Sequence, residues 1–205
     1  MNVTPDQIDV LTELINIGVG RAAGTLNQIL ETHVQLRVPS VKVFPYSQIE
    51  KSLSTIATTT LSVVRLTFKG SFSGTALLAF PSGSASNLVD LLTGEEADIS
   101  DLDSLRVGTL TEIGNILLNG VMGSLSNVLR EHLIYSIPIY IEDTIEHLLH
   151  ENSLDADSTI ILAKTELTIE EFQIEGNIVL LFRVGLFSTL TKILDTLEIF
   201  SRSQR

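Results

Sequence analysis

Cysteine is absent from all 205 residues, which removes thiolate nucleophiles, cysteine-built zinc sites and redox switches from the chemistry open to this chain. Aromatic residues are few, with eight Phe and three Tyr, and thirteen basic residues face twenty-five acidic ones, a formal charge of −12. The longest basic cluster is the tail from Arg202 to Arg205. Nucleic acid and anionic membrane surfaces need clustered cations, so neither is expected as a partner, whereas a protein with a basic contact surface is. No stretch approaches the roughly eighteen uninterrupted apolar residues of a membrane span, and the opening Met1-Asn2-Val3-Thr4-Pro5-Asp6 has no basic and apolar leader pattern. The sequence therefore reads as a cytoplasmic chain.

What is present is a repeat. Residues 9–39 laid over 108–138, an offset of 99, give ten identities: Leu11/Leu110, Thr12/Thr111, Glu13/Glu112, Asn16/Asn115, Ile17/Ile116, Gly24/Gly123, Leu26/Leu125, Leu30/Leu129, His33/His132 and Pro39/Pro138. With three residues inserted, Gly74–Phe80 falls on Gly176–Phe182 and Asn87–Leu92 on Thr189–Leu194. A duplicated order of elements means that each half is one supersecondary unit with little core of its own. The expected organisation is a single domain over 1–205 made of two repeats, about 4–93 and 101–198.

Each unit reads as a long helix, a strand, a short helical connection, two strands and a closing helix. Thr4 can cap the first helix with Pro5 at its first position and Gln7 completing a capping box, and the helix should run to about Glu31. Gly18, Gly20 and Gly24 mark a bend or a close packing contact. Strands are expected at Val34–Val38, closed by Pro39, at Thr58–Phe68 and at Thr75–Phe80. In the second unit a helix from near Asp101 to Leu129 precedes strands at Ile134–Ile141, Thr159–Leu167 and Ile178–Val184, and residues 93–103 read as a seam between the units. Helices alternating with paired strands, without strict crossovers, give an α+β fold: two pseudo-symmetric repeats sharing a central β-sheet, with the two long helices on an outer face.

The repeated polar residues sit on one side of those helices. At 100° per residue, Asp9, Glu13, Asn16 and Gly20 fall within about 40° of one line, with Leu11, Leu14, Ile15 and Ala22 opposite. Gly108, Glu112, Asn115 and Asn119 make the same stripe, with Ser104 close to it. A Glu and an Asn three residues apart are helix-surface neighbours able to touch one small group on a docked protein. One such pair is expected by chance about 0.7 times here, but a Pro twenty-three residues after the Asn lowers that to about 0.02, and the pattern occurs twice. The blander alternative is solvated surface inherited by duplication, each Pro only ending a strand.

The strings Asp9-x3-Glu13-x2-Asn16-x22-Pro39 and Gly108-x3-Glu112-x2-Asn115-x22-Pro138 resemble the paired signatures of the CheC family of response-regulator phosphatases, within the CheC/CheX/FliY superfamily. The resemblance covers nearly the whole chain. It implies hydrolysis of the aspartyl phosphate of a CheY-like response regulator in chemotaxis. Glu13 and Glu112 would pair with the regulator's active-site lysine, and Asn16 and Asn115 would hold the attacking water, with Asp9, Pro39, Pro138 and Ser104 in support. Gly108 departs from the Asp or Ser of the family pattern, leaving the second stripe without that polar group unless Ser104 supplies it from one turn away. The resemblance also admits a CheD-like deamidase as partner, and Mg2+ would belong to the regulator, this chain needing no cofactor of its own. The chemistry is consistent: an acyl phosphate has a good leaving group, and its hydrolysis needs mainly an oriented water and neutralised charge. An amide accepts from water and donates to a phosphoryl oxygen without a perturbed pKa.

Other constellations are weaker. Glu142–Glu151 could bring His147, His150 and a carboxylate onto one helix face as a metal site, but also reads as a solvated connector. His33 and His132 end helices, where an imidazolium suits the dipole. Gly18-Val19-Gly20 lacks the third glycine and lysine of a phosphate loop. Two function classes stay open: a phosphatase, or a non-catalytic protein that binds a response regulator or a CheD-like deamidase.

Overall fold

A computed structural model of the chain describes residues 3–31, 33–48, 59–70, 73–93, 102–144, 146–148, 158–169 and 172–182. Helix α1 spans Pro5–Leu30 and starts on the expected capping box. Thr4 Oγ1 accepts from the Gln7 N–H at 3.2 Å and Gln7 Oε1 accepts from the Thr4 N–H at 2.9 Å, so two donors of the first turn find partners. The helix ends where Glu31 turns left-handed, φ 51°. Ninety-nine residues later, Arg130 ends the second long helix the same way, φ 55°. There the Glu131 N–H reaches back to the Ser126 carbonyl at 3.0 Å, closing the turn on a carbonyl that the helix leaves open. His33 and His132 lie beyond these caps and outside the last helical turns.

The remaining elements are β1 (Val34–Pro45), a 3-10 turn (Tyr46–Gln48), β2 (Thr60–Lys69), β3 (Ser73–Pro81), α2 (Ser82–Thr93), α3 (Leu102–Leu129), β4 (Ile134–Tyr135), β5 (Ile139–Thr144), β6 (Thr159–Ile169) and β7 (Phe172–Phe182). The expected closing helix of the second unit, the 94–101 part of the seam and Val184 lie outside the described residues. All strand pairs are antiparallel, in the order β1-β6-β7-β3-β2, with β4 and β5 both on the far side of β2. Exchanging the strands of one unit for those of the other reproduces this order read backwards. At the centre, Leu77 pairs with Val179, its own counterpart at the offset of 102, so the pseudo-two-fold axis passes through that pair. The first strand of each unit crosses to the second strand of the other, β1 to β6 and β5 to β2. Neither unit completes a sheet by itself, and the α+β fold is the one expected.

Both sheet faces are buried, which is why β2 and β3 read as nearly continuous apolar runs. Val64, Leu66, Ala76, Leu78, Ile161, Ile178 and Leu180 pack beneath α1, α2 and α3. Leu61, Val63, Leu77, Ala79, Ile160, Val179 and Leu181 form a second cluster on the other face with Leu148. The long helices touch at Gly18 and Gly120: a Cβ on Gly18 would stand 2.6 Å from Val121 Cα and 2.7 Å from the Gly120 carbonyl oxygen. Gly20 and Gly24 have open space instead, so Gly18 alone among the three is the packing contact.

Pro39 does not close its strand. β1 continues to Pro45, with a register shift against β6 between Arg37 and Ser40. An edge strand interrupted by a bulge tolerates a residue with no N–H, because no ladder bond is lost there. Pro138 behaves differently. The expected strand at 134–141 is split between Tyr135 and Ile139 with Pro138 in the gap, and Ser136 holds the gap to β2 through its N–H to the Thr67 carbonyl at 2.9 Å.

Candidate functional site

Burial of Leu11, Leu14, Ile15, Val19, Ala22 and Leu26 turns Asp9 and Glu13 of α1 outward, with Asn16 half-buried at the margin. On α3, burial of Leu110, Ile113, Leu117 and Leu118 does the same for Glu112, with Asn115 half-buried and Asn119 exposed. Gly114 brings α3 onto the sheet, since a Cβ there would stand 2.5 Å from the Val64 side chain. Arg106 anchors the start of α3: its guanidinium lies 3.1 Å from Ser62 Oγ and 3.5 Å from Glu142. Tyr140 joins the same cluster, donating to Glu142 at 2.7 Å, and its burial pushes its hydroxyl pKa up.

The two Glu-x-x-Asn pairs are therefore on outward helix faces, but their amides are spent differently. Asn16 Oδ1 accepts from the Val38 N–H at 2.9 Å, and its Nδ2 donates to the Val38 carbonyl at 3.2 Å and to the Thr12 carbonyl at 3.1 Å. Val38 precedes Pro39 at the bulge, where β1 and β6 slip register. Asn16 thus replaces ladder bonds that the bulge removes, and the Asn-to-Pro spacing has a structural reason in this unit. Asn115 has instead one partner among the described residues, Asn119, with Asn119 Nδ2 to Asn115 Oδ1 at 2.6 Å. The residue matching Val38 is Ile137, which is 86% exposed where Val38 is 3% exposed.

Among the described residues, neither Glu13 nor Glu112 has a hydrogen-bond or ion-pair partner, and Asp9 has none either. Both glutamates are open carboxylates beside an amide, available to a cation on another molecule. Ser104 is exposed on the first turn of α3 and makes no bond to Glu112 or Asn115. Asn119 lies on the same stripe as Glu112 and Asn115, and nothing in the Glu-x-x-Asn pattern assigns it a role. Its signal is the spacing of four from Asn115, which stacks two amides on one helix face.

The histidine-acid stretch is partly described. His147 Nδ1 lies 2.5 Å from Asp143 Oδ2, and this bond, with help from the Thr144 N–H, holds the Asp143 carboxyl below its ordinary value. His150 and Glu151 lie outside the described residues, and among those described no group of three His, Asp or Glu side chains is placed to hold a metal. A groove of about 700 Å³ beside Arg37 and Glu166 contains none of the Glu-Asn pair residues. No described helix is long and apolar enough to cross a membrane.

No family model matches the chain. It is 26% identical over 139 residues to the CheY-P phosphatase CheC of Bacillus subtilis, 66% of each protein. It is also 26% identical over 132 residues to the flagellar motor switch phosphatase FliY of the same organism, 63% of this chain and 34% of FliY. The chain thus spans just under two thirds of the first relative and about a third of the second. Among solved structures, FliY of Thermotoga maritima superposes with a TM-score of 0.73 at 19% identity, over 96% of this chain and 99% of that one. FliM from its complex with SpeE in H. pylori gives 0.66 at 15% identity, over 95% and 97%. The CheX-CheY-BeF3-Mg2+ complex of Borrelia burgdorferi gives 0.51 at 14% identity, over 84% and 99%. These structures share the fold.

Proposed function

We propose, from the 26% identity to CheC and FliY of Bacillus subtilis and the fold shared with FliY of Thermotoga maritima, that the chain is a member of the CheC/FliY family and hydrolyses the aspartyl phosphate of a CheY-like response regulator in chemotaxis signalling. The observation that carries this reading is the pair of outward Glu-Asn stripes, Glu13 with Asn16 and Glu112 with Asn115, on two helices of one fold. In the reaction, water attacks phosphorus and the bond to the regulator's aspartyl oxygen breaks. The products are inorganic phosphate and a free carboxylate. An Asn amide orients that water and donates to a phosphoryl oxygen, which lowers the entropic and electrostatic parts of the barrier. Glu13 and Glu112 face a lysine of the regulator, since a carboxylate close to phosphate would only repel it. Mg2+ in this scheme is held by the regulator.

A CheX protein solved with CheY and the phosphate mimic BeF3 has the same fold, which supports a response regulator as the docking partner. A CheD-like deamidase remains a second proposed partner through the family resemblance alone. The alternative of binding without turnover has its own support: the Asn16 amide is already committed to Val38, and FliM shares the fold. The two readings separate in one assay. A CheY-like regulator is charged with acetyl phosphate, and decay of the phosphorylated form is followed with and without the protein. Faster decay that is lost in the Asn16→Ala, Asn115→Ala double variant, with regulator binding retained, supports catalysis. Unchanged decay with binding intact supports the scaffold.

A further inference from the structure

The two stripes are equivalent in sequence but not in what their amides can still offer. Asn16 uses both hydrogens of Nδ2, on the Thr12 and Val38 carbonyls, and one side of Oδ1 on the Val38 N–H. An amide has two donors and two acceptor lone pairs, so Asn16 has no donor left for a phosphoryl group until it releases Val38. Asn115 is bonded only to Asn119 among the described residues, at 2.6 Å. In either sense of that amide-amide bond, Asn115 keeps at least one N–H and one oxygen lone pair.

Asn119 has no equivalent on α1, where its matching position is Gly20, beside which nothing lies within 4 Å. The backbone that captures Asn16 also has no equivalent beside Asn115. The matching strand is broken between Tyr135 and Ile139, and Ile137 points to solvent.

We propose that Asn119 is a positioning residue that holds Asn115 with a free donor and acceptor outward, making the α3 stripe the one poised for turnover while the α1 stripe is latched on Val38. This rests on the phosphatase reading. It also offsets the loss of a polar side chain at Gly108, because each stripe keeps one extra polar group: Asp9 on α1 and Asn119 on α3. A hydrogen bond that pre-orients a reacting group reduces the reorganisation needed when substrate docks.

The test is the steady-state decay of an acetyl-phosphate-charged CheY-like regulator with the full chain, kcat and KM measured separately. Asn119→Ala is expected to lower kcat about three- to tenfold with KM unchanged, as for the loss of one orienting hydrogen bond. Asn119→Gln should recover part of that loss, and Asn115→Ala should cost more than Asn16→Ala. A second readout is the side-chain amide resonance of Asn115, which should move in Asn119→Ala while that of Asn16 stays. A wild-type protein that does not accelerate decay overturns the phosphatase reading and this inference with it. A wild-type protein that does accelerate decay, with kcat unaltered in Asn119→Ala or with Asn16→Ala the more damaging change, overturns this inference alone.

Discussion

Asn16 grips Val38 by both of its backbone hydrogen-bonding groups, the N–H at 2.9 Å and the carbonyl at 3.2 Å. A side chain on the outward margin of a helix thereby takes over the bonding of an edge strand at the point where its ladder slips. Asn16→Ala should destabilise the protein by about 1–3 kcal/mol, the cost of leaving backbone groups unpaired beside a buried residue. Asn115→Ala removes only a bond to the exposed Asn119 and should cost less than about 1 kcal/mol. Urea unfolding of the two variants checks the order; equal losses would contradict it.

Glu13 and Glu112 are exposed carboxylates without partners among the described residues. Glu13→Gln and Glu112→Gln should each leave the unfolding midpoint within about 0.5 kcal/mol of wild type, as for surface changes that touch nothing. If they meet a lysine of the regulator, binding of the phosphorylated regulator should weaken and its salt dependence should flatten. Titration at two ionic strengths reads both effects. Undiminished binding in the double variant would remove the glutamates from the docking surface.

Gly18 and Gly24 lie six residues apart on α1 and should respond oppositely to a methyl group. Gly18→Ala puts a Cβ 2.6 Å from Val121 Cα, so the two helices must separate, at about 1–3 kcal/mol. Gly24→Ala meets nothing within 4 Å and gains up to about 1 kcal/mol of helix propensity. Thermal melting of both variants measures the difference in sign.

Asp143 supplies a pH dependence. Its bond to His147 holds the carboxyl below its ordinary value of 3.8. A carboxyl with a lowered folded-state pKa stabilises the fold fully above the unfolded value, and that contribution is lost as pH falls through the lowered one. Stability should therefore decline below about pH 4 in wild type, and Asp143→Asn should flatten that part of the curve. Melting temperatures from pH 2.5 to 6 test it, and an unchanged slope in the variant would exclude Asp143 as a contributor.

Much of this architecture is legible from residue order. Thr4, Pro5 and Gln7 announce the start of α1 because capping is local chemistry, satisfied within four residues. The outward placement of Glu13 and Glu112 follows from helical periodicity, which buries Leu11 and Ile15 on one side and Leu110 and Ile113 on the other. The shared sheet was readable from the 99-residue repeat, since a unit that cannot bury its own strands must pair them with its copy.

The unequal fates of matching residues were not legible. Pro39 and Pro138 occupy equivalent positions, yet one sits at a bulge inside a continuous strand and the other in a break. Which outcome occurs depends on the neighbouring strand: β1 has all of β6 to pair with, whereas β4 and β5 share β2. Asn16 and Asn115 likewise have the same local sequence signal. Their hydrogen bonds differ because Val38 is folded against one helix and Ile137 is left in solvent, a matter of long-range register.

The sequence by itself determined the duplication, the helix faces and the positions of the Glu-Asn pairs, because periodicity and capping act over a few residues. Only the tertiary structure decided which amide is occupied and which is open. That choice depends on backbone groups more than twenty residues away in the chain, brought beside the amide or left apart by how the sheet pairs.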